Sequence, residues 1–401
     1  MNRISFVLVV ALAAGALAAV PDPATGCAAA PHRGERVDTS DEGALIVWDE
    51  KTKTEHFVRR ASFRSTGYDF GFLVPTPTRP DLDVAGDDLF TELAALTAPK
   101  VEYREEVREV EREVERELSL GCAFAAKSAR DATGLADNAP ASKAGGVDVL
   151  EQKRVGDYDA TVLAFRRGDG DTPERGAQAM AEWLAKHGYE SPPAIETWLA
   201  KYVRDQWCVT AFKIAGPGPK KDGVNAPGGR HDLRARPIRM SFKADRPFYP
   251  YREPETEPGA HPAAESRSLR VFVAAQGRYA GTLGDGAKAW PGQAVWAGPV
   301  DAPRWTSLFQ NAKLTETPVA TDGWWLTEFE DRSSPRPGTD EVYFAPSADA
   351  SPVARPAHII TTTRTVVVTP WWHAAVYVGV PAVLVLGGLG LWRVLHRGPS
   401  L

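Results

Sequence analysis

The sequence predicts an α+β fold of mostly antiparallel sheets with a few helices, plus one C-terminal transmembrane helix. Three observations lead there. Short apolar runs rich in β-branched and aromatic residues recur between Gly, Pro and charged breaks, as strands of antiparallel sheets do. Two amphipathic segments with helical periodicity stand between such runs. Residues 374–392 form an unbroken run without a charge, close to the ~20 apolar residues that a helix needs to cross a bilayer.

The two ends set the expected topology. Arg393, His396 and Arg397 follow the apolar run at once, and basic residues beside a span favour the cytoplasmic side. The expected transmembrane helix is 373–395, with 396–401 as a cytoplasmic tail. At the other end, Arg3 and an Ala-rich apolar stretch up to Val20 have the pattern of a secretory signal peptide over residues 1–20. Gly26-Cys27 leaves a second reading open, acylation of Cys27 as in a lipoprotein. The bulk of the chain is therefore expected outside the cytoplasm, in a bacterial cell envelope, held by a single pass through the membrane. The lipid bilayer is an expected partner, through the C-terminal helix.

A chain of 401 residues with 43% hydrophobic and 25% charged content is long enough for one large or two ordinary globular domains. A net charge of −5 speaks against a nucleic-acid partner. The 32 prolines and 35 glycines point to a loop-rich ectodomain. The three cysteines are Cys27, Cys122 and Cys208. An oxidising compartment permits a disulfide and an odd count leaves one thiol over. The expected bridge is Cys27–Cys122, with Cys208 buried and free, although the sequence leaves the connectivity open.

Along the chain, residues 44–49 read as a buried strand and 54–63 as its partner, joined by a hairpin loop at 51–53. Residues 69–74 are a third strand, ended by the prolines from Pro75 onward. A short helix is expected at 88–96. Val107, Val110, Val114 and Leu118 then recur at helical spacing, which predicts a charged helix over 101–118. It could serve assembly, or it could be a solvated helix or a twisted hairpin arm. Residues 125–146 read as a flexible loop, 147–155 and 158–165 as strands around Gly156-Asp157, 173–186 and 194–203 as helices, and 206–214 as a strand. Pro173 and the Pro192-Pro193 pair open the two helices. Strands follow at 237–242, 269–275 and 342–344. A Trp-rich β-like extension occupies 276–345, and a Pro/Thr-rich spacer at 346–372 leads to the membrane, with Trp371, Trp372 and Tyr377 at its outer interface.

Several of these stretches together resemble a bacterial family, domain of unknown function 2330. They are ALIVWDEKTKTEHFVRRASF (44–63), DFGFLVPTPTRPDL (69–82), LFTELAALTAPKV (89–101), VGDYDATVL (155–163), WLAKHGY (183–189), YVRDQW (202–207) and TAFKI (210–214). The resemblance covers about 27–275 and implies an extracytoplasmic α+β region there. The family name carries no activity, so no catalytic residue can be transferred. Many relatives have a second cysteine near the first, whereas this chain reads CAAAPHR after Gly26, which leaves the partner of Cys27 open.

No motif carries chemistry. There is no GxSxG, no HExxH and no Cys/His cluster, so no metal site and no cofactor are expected. Cys208 between Trp207 and Val209 reads as core. His56 alternates with Phe57 and reads as solvent-facing. Asp169-Gly170-Asp171 reads as a turn, because Pro173 and Met180 stand where a calcium loop needs ligands. The Gly/Pro/Lys loop from Gly216 lacks the spacing of a phosphate loop. Acidic residues are plentiful, with no pair singled out. The expectation is a binding or structural module with an unidentified protein or glycan ligand, leaning away from an enzyme. The alternative is an envelope hydrolase whose site is assembled from distant residues. A pocket holding carboxylates or histidines with perturbed pKa would favour the alternative.

Overall fold

The computed structural model describes residues 29–31, 37–65, 69–111, 146–165, 172–189, 191–215, 231–255, 267–286, 288–314, 323–333, 336–368 and 386–393. They form two units, one built from 1–98 and 139–355, the other from 99–138 and 356–401.

Two sheets make the first unit. The larger has the order β15 (Gln293–Pro299), β16 (Trp324–Asp331), β13 (Ser268–Gln276), β2 (Val37–Asp49), β3 (Thr54–Ser65), β11 (Ile238–Lys243), β5 (Asp81–Val84), with β10 (His231–Arg234) also on β3. Only β13 and β2 run parallel in it. The smaller is antiparallel throughout, in the order β1 (Ala29–Pro31), β4 (Asp69–Thr76), β9 (Cys208–Ala215), β8 (Tyr158–Phe165), β7 (Val147–Val155). A third sheet of β12 (Phe248–Tyr249), β17 (Val342–Pro346) and β14 (Tyr279–Leu283) joins them.

The period-two alternation of each strand sorts its side chains between layers. From β2, Ala44, Ile46 and Trp48 enter the core between the sheets. Leu45 and Val47 face the opposite way, onto α1 (Leu89–Leu96) and α4 (Ala302–Asn311). From β4, Phe70, Phe72 and Val74 enter the central core, and Leu73 packs on α2 (Pro173–Lys186) and α3 (Pro193–Arg204). The layers therefore run helix pair, sheet, sheet, helix pair. This explains why 44–49 reads as a continuous apolar run: both of its faces are covered. The central core is strongly aromatic, with Phe72 stacked on Phe212 at 5.0 Å and Phe63 edge-on to Phe70 at 4.8 Å.

Local chemistry sets the element ends. Asp49 accepts from the backbone N–H of Lys51 at 3.0 Å and the hydroxyl of Thr52 at 2.8 Å, an Asx-type turn that closes the β2–β3 hairpin. Thr172 caps α2 through the N–H of Arg175 at 3.3 Å, and Asp301 caps α4 through the N–H of Arg304 at 3.0 Å; both helices carry Pro in their first turn. Gly71 lies where β4 meets the loop after α2. A Cβ there would stand 2.1 Å from the Tyr189 ring, so only glycine fits.

The structure corrects several expectations. Residues 101–111 are not helical but form a strand, β6 (Val101–Glu111), paired in parallel with β18 (His358–Val368). Val101, Tyr103 and Val107 fit a period of two, against which only Val110 counts, and the Thr/Val-rich partner favours the strand. Part of the Pro/Thr-rich spacer is thus a hydrogen-bonded strand. Pro75 does not end β4: it continues opposite Val209, because β1 covers only Phe70 to Phe72 on the other side and an edge tolerates proline. Strands β5 and β10 and helix α4 fall outside the expected elements, and the β-like stretch 276–345 resolves into β14, β15 and β16 around α4 and the strand expected at 342–344. Trp290, Trp305 and Trp324 of the Trp-rich stretch are buried.

The second unit holds β6, β18 and α5 (386–393). Val101, Tyr103, Val107, Ile359 and Ile360 are exposed on its ribbon. Among the described residues five helices occur, and none is long and apolar enough to cross a membrane. Of the expected span 373–395, only the eight residues of α5 and no earlier turn lie within the described part. The signal segment, Cys27, Cys122, the loop at 125–145, Asp169 to Asp171, the Gly/Pro/Lys loop and Trp371, Trp372 and Tyr377 lie outside it.

Candidate functional site

The chemistry of the first unit gathers in a buried cluster of charges beside a cavity. Glu42 and Arg59 sit on adjacent strands, Glu42 opposite Ala61 and Arg59 opposite Ala44. They are diagonal neighbours whose side chains share the face of Ala44, Ala61 and Phe63 toward the central core. Arg59 donates to one Glu42 oxygen through Nε at 2.8 Å, and its Nη2 forms an ion pair with the same oxygen at 2.7 Å. Its guanidinium lies 4.8 Å from the Phe72 ring centroid. Arg336 donates through Nη1 to the other Glu42 oxygen at 3.2 Å, and Tyr249 adds a hydrogen bond. Burial alone would raise the Glu42 carboxyl. Arg59, then Arg336 and Arg267, outweigh it and hold it at about 2. For Arg336 burial opposes the charge, and Glu42 foremost overcomes that and raises its pKa.

The cluster continues to the cavity. Arg267 donates through Nη1 to Glu253 at 2.8 Å. Burial pushes the Glu253 carboxyl above its usual range, against the pull of Arg267 and Arg336. A cavity of about 210 Å³ is walled by 252–255 on one side and 336–339 on the other, with Thr197 and Trp198 of α3 closing it. These walls are cross-tied. The Glu253 N–H donates to the Gly338 carbonyl at 2.9 Å, Arg252 Nη2 to the Thr339 carbonyl at 2.6 Å, and the Trp198 indole to the Arg252 carbonyl at 3.1 Å. Glu341, wholly buried, accepts from the Tyr202 hydroxyl at 2.5 Å and from the Tyr251 N–H at 2.8 Å, which locks α3 to both loops. Gly338 has φ +46, and a Cβ there would come within 3.0 Å of Glu253 Cβ, so the turn is glycine's.

Inside this frame some donors have no partner among the described residues. On Arg336, Nε and Nη2 are buried without a hydrogen bond, as are Nε and Nη2 of Arg267 and Nε of Arg252. Buried donors normally find acceptors; these five lie in the packed interior beside the cavity, out of reach of water.

Other candidates resolve into structure. Among the described residues no group of three His, Cys, Asp or Glu is placed to hold a metal ion. His56 is not solvent-facing: its Nδ1 is 2.8 Å from the Ser241 hydroxyl. Burial, helped by Arg239, lowers it to about 4, so it is neutral at physiological pH. Cys208 is buried and unbridged, its thiol pushed up by burial. Glu328 is closed off by Arg270 and Arg355.

Glu55 is fully buried and its Oε2 accepts from the Phe248 N–H at 2.9 Å, while Oε1 has no partner. Burial raises its pKa well above the ordinary value. A raised folded pKa gives a contribution fully present below the unfolded value and lost as pH rises through the folded one. Glu55→Gln is therefore expected to stabilise the protein at pH 8 and to be neutral near pH 4. Thermal unfolding at the two pH values checks this; an equal effect at both would contradict it.

None of Glu42, Arg59, Glu253, Arg267 and Arg336 stands out in the sequence. The one local signal is the framing of Arg252 and Arg336 by prolines, in YREPE and SPRPG, which stiffens both loops.

A family model described as "Uncharacterized protein conserved in bacteria (DUF2330)" matches residues 21–333. No curated protein matches the chain.

Proposed function

The chain belongs to the DUF2330 family, and from that premise we propose that it is a membrane-anchored binding module of the bacterial envelope, with its bulk outside the cytoplasm and its C-terminus inside. The observation that carries the binding role is the cavity between 252–255 and 336–339, lined by the charged residues Arg252, Glu253, Glu255 and Arg336. The placement rests on the signal-like N-terminus, the apolar run 374–392 and the basic residues after it.

The alternative of an envelope hydrolase has one observation in its favour, the raised carboxyl of Glu253 at the cavity wall. Binding is the better reading for two reasons. That carboxylate is already engaged by Arg267. The described wall also has no Ser, Cys or His, so a hydrolase there would have to work with Thr197, Thr339 and Glu255 and without a histidine.

A reporter active only outside the cytoplasm, fused at residue 350, tests the placement together with a cysteine-labelling tag after Leu401. The expected result is an active reporter and a tag shielded from external reagent. A silent reporter would contradict the proposal.

A further inference from the structure

We infer that two copies of the chain join edge to edge through β6, antiparallel about a two-fold axis at Glu105, into one sheet of order β18-β6-β6-β18. The inference goes beyond the binding role and rests on the second unit alone. There β6 pairs with β18 and, among the described residues, with no third strand. An isolated pair of strands is marginal in water, and an open strand edge is a template for a further strand. The open backbone groups can be named. His358 is paired with Val101, and its N–H donates to the Lys100 carbonyl at 2.7 Å. A strand turns the backbone groups of alternate residues to alternate sides. Lys100, Glu102, Arg104 and Glu106 therefore bond toward β18, while Val101, Tyr103, Glu105 and Val107 turn their N–H and C=O groups to the open edge. Glu105 facing Glu105 of the second copy is then a hydrogen-bonded pair, as is Tyr103 facing Val107.

Charge selects a second copy as the occupant and fixes the register. With the axis at Glu105, Glu102 faces Arg108 of the second copy and Arg104 faces its Glu106, each twice by symmetry. These residues fall at the non-hydrogen-bonded positions, where opposed side chains come closest. All four are exposed. Moving the axis by one residue, to Arg104 or Glu106, sets Arg against Arg and Glu against Glu. On the other face Tyr103, 78% exposed, meets Val107, 57% exposed, an aromatic and β-branched pair of the kind that stabilises sheets. The like pair is Glu105 on Glu105. Each is met by Arg364 of its own β18, at 3.8 Å, which brings two guanidiniums to the two carboxylates. Strand β18 carries no such code, since Arg364 is its single full charge and leaves the register of a self-pairing weakly specified. Like edge on like edge also closes after two copies, whereas β6 on the β18 of a next copy would repeat into a fibre.

Sedimentation velocity of the full-length protein in detergent, over a range of concentrations at low ionic strength, tests the inference. The wild type should dimerise. Arg104→Glu with Arg108→Glu makes the four alternating positions all acidic, and Glu102→Arg with Glu106→Arg makes them all basic. In either variant every attractive pair becomes repulsive, and dimerisation should weaken at least ~tenfold. Mixed one to one, the two variants should form a heterodimer about as tight as the wild-type dimer, because every pair is again Glu on Arg. The register is read separately by Glu105→Cys, which lies on the axis and under a mild oxidant should give a disulfide-linked dimer that the wild type does not. Thr362→Cys is its control. Thr362 is paired with Glu105 in β18, so two copies of it stand three strand spacings apart, about 14 Å, beyond the reach of a disulfide. A monomer at every concentration overturns the inference, as does a dimer indifferent to both charge variants, a mixture that stays monomeric, or equal cross-linking at 105 and 362. None of these outcomes bears on the topology reporter, so the two proposals fail separately.

Discussion

Replacing Arg59 by leucine is expected to destabilise the protein by about 3–5 kcal/mol, the usual cost of leaving a buried partner charge uncompensated. Glu42 is fully buried, and Arg59 gives it its two shortest contacts, at 2.8 and 2.7 Å. Arg336 at 3.2 Å cannot replace a partner engaged through two nitrogens. Urea unfolding of wild type and variant measures the loss. Its pH dependence has a definite sign. The folded Glu42 carboxyl lies at about 2, below its ordinary 4.5, so its contribution is present above about 4.5 and is lost as pH falls toward 2. The deficit of Arg59→Leu should be full at pH 7 and narrow at pH 3. A control is Arg154→Ala, which breaks the pair with Asp159 in which both side chains are half exposed; surface pairs of that kind contribute little. A loss from Arg59→Leu as small as the control's would show that the cluster is not the electrostatic centre of the fold.

The second large effect is expected at Phe72. Its side chain is 1% exposed, stacks on Phe212 at 5.0 Å, meets Tyr158 edge-on at 5.6 Å and lies under Arg59. Phe72→Ala should cost about 3–5 kcal/mol through lost burial and a cavity that two rigid sheets cannot close. Because Arg59 rests on this ring, the double variant with Arg59→Leu should cost less than the sum of the two single losses. Strict additivity would mean that the aromatic core and the ion cluster are energetically separate.

What could be read from the sequence follows from how far each element's determinants lie apart. The β2–β3 hairpin, the β7–β8 hairpin, α2 and α3 are specified within a few residues by alternation, turn chemistry and proline caps, and their expected positions agree with the structure to within a few residues, except that β2 begins earlier, at Val37. Helix α4 had equally local signals, Asp301, Pro303 and the spacing of Trp305, Leu308 and Phe309, which a reading focused on scattered tryptophans passed over. Strand β6 is different. Val107, Val110 and the residues after them fit a helical period, and the competing partner β18 lies at the far end of the chain. The cavity was the least legible feature. Glu42, Arg59, Glu253, Arg267 and Arg336 come from well-separated segments, and each in isolation reads as an ordinary surface charge. Only the register that pairs β2 with β3 and β13 brings Glu42 inward.

The most direct test of the central claim adds protease to intact spheroplasts that express the chain with a tag after Leu401. The account predicts that protease removes the region before the apolar run 374–392 and leaves a small tagged fragment. A chain that stays intact until the membrane is breached would contradict it.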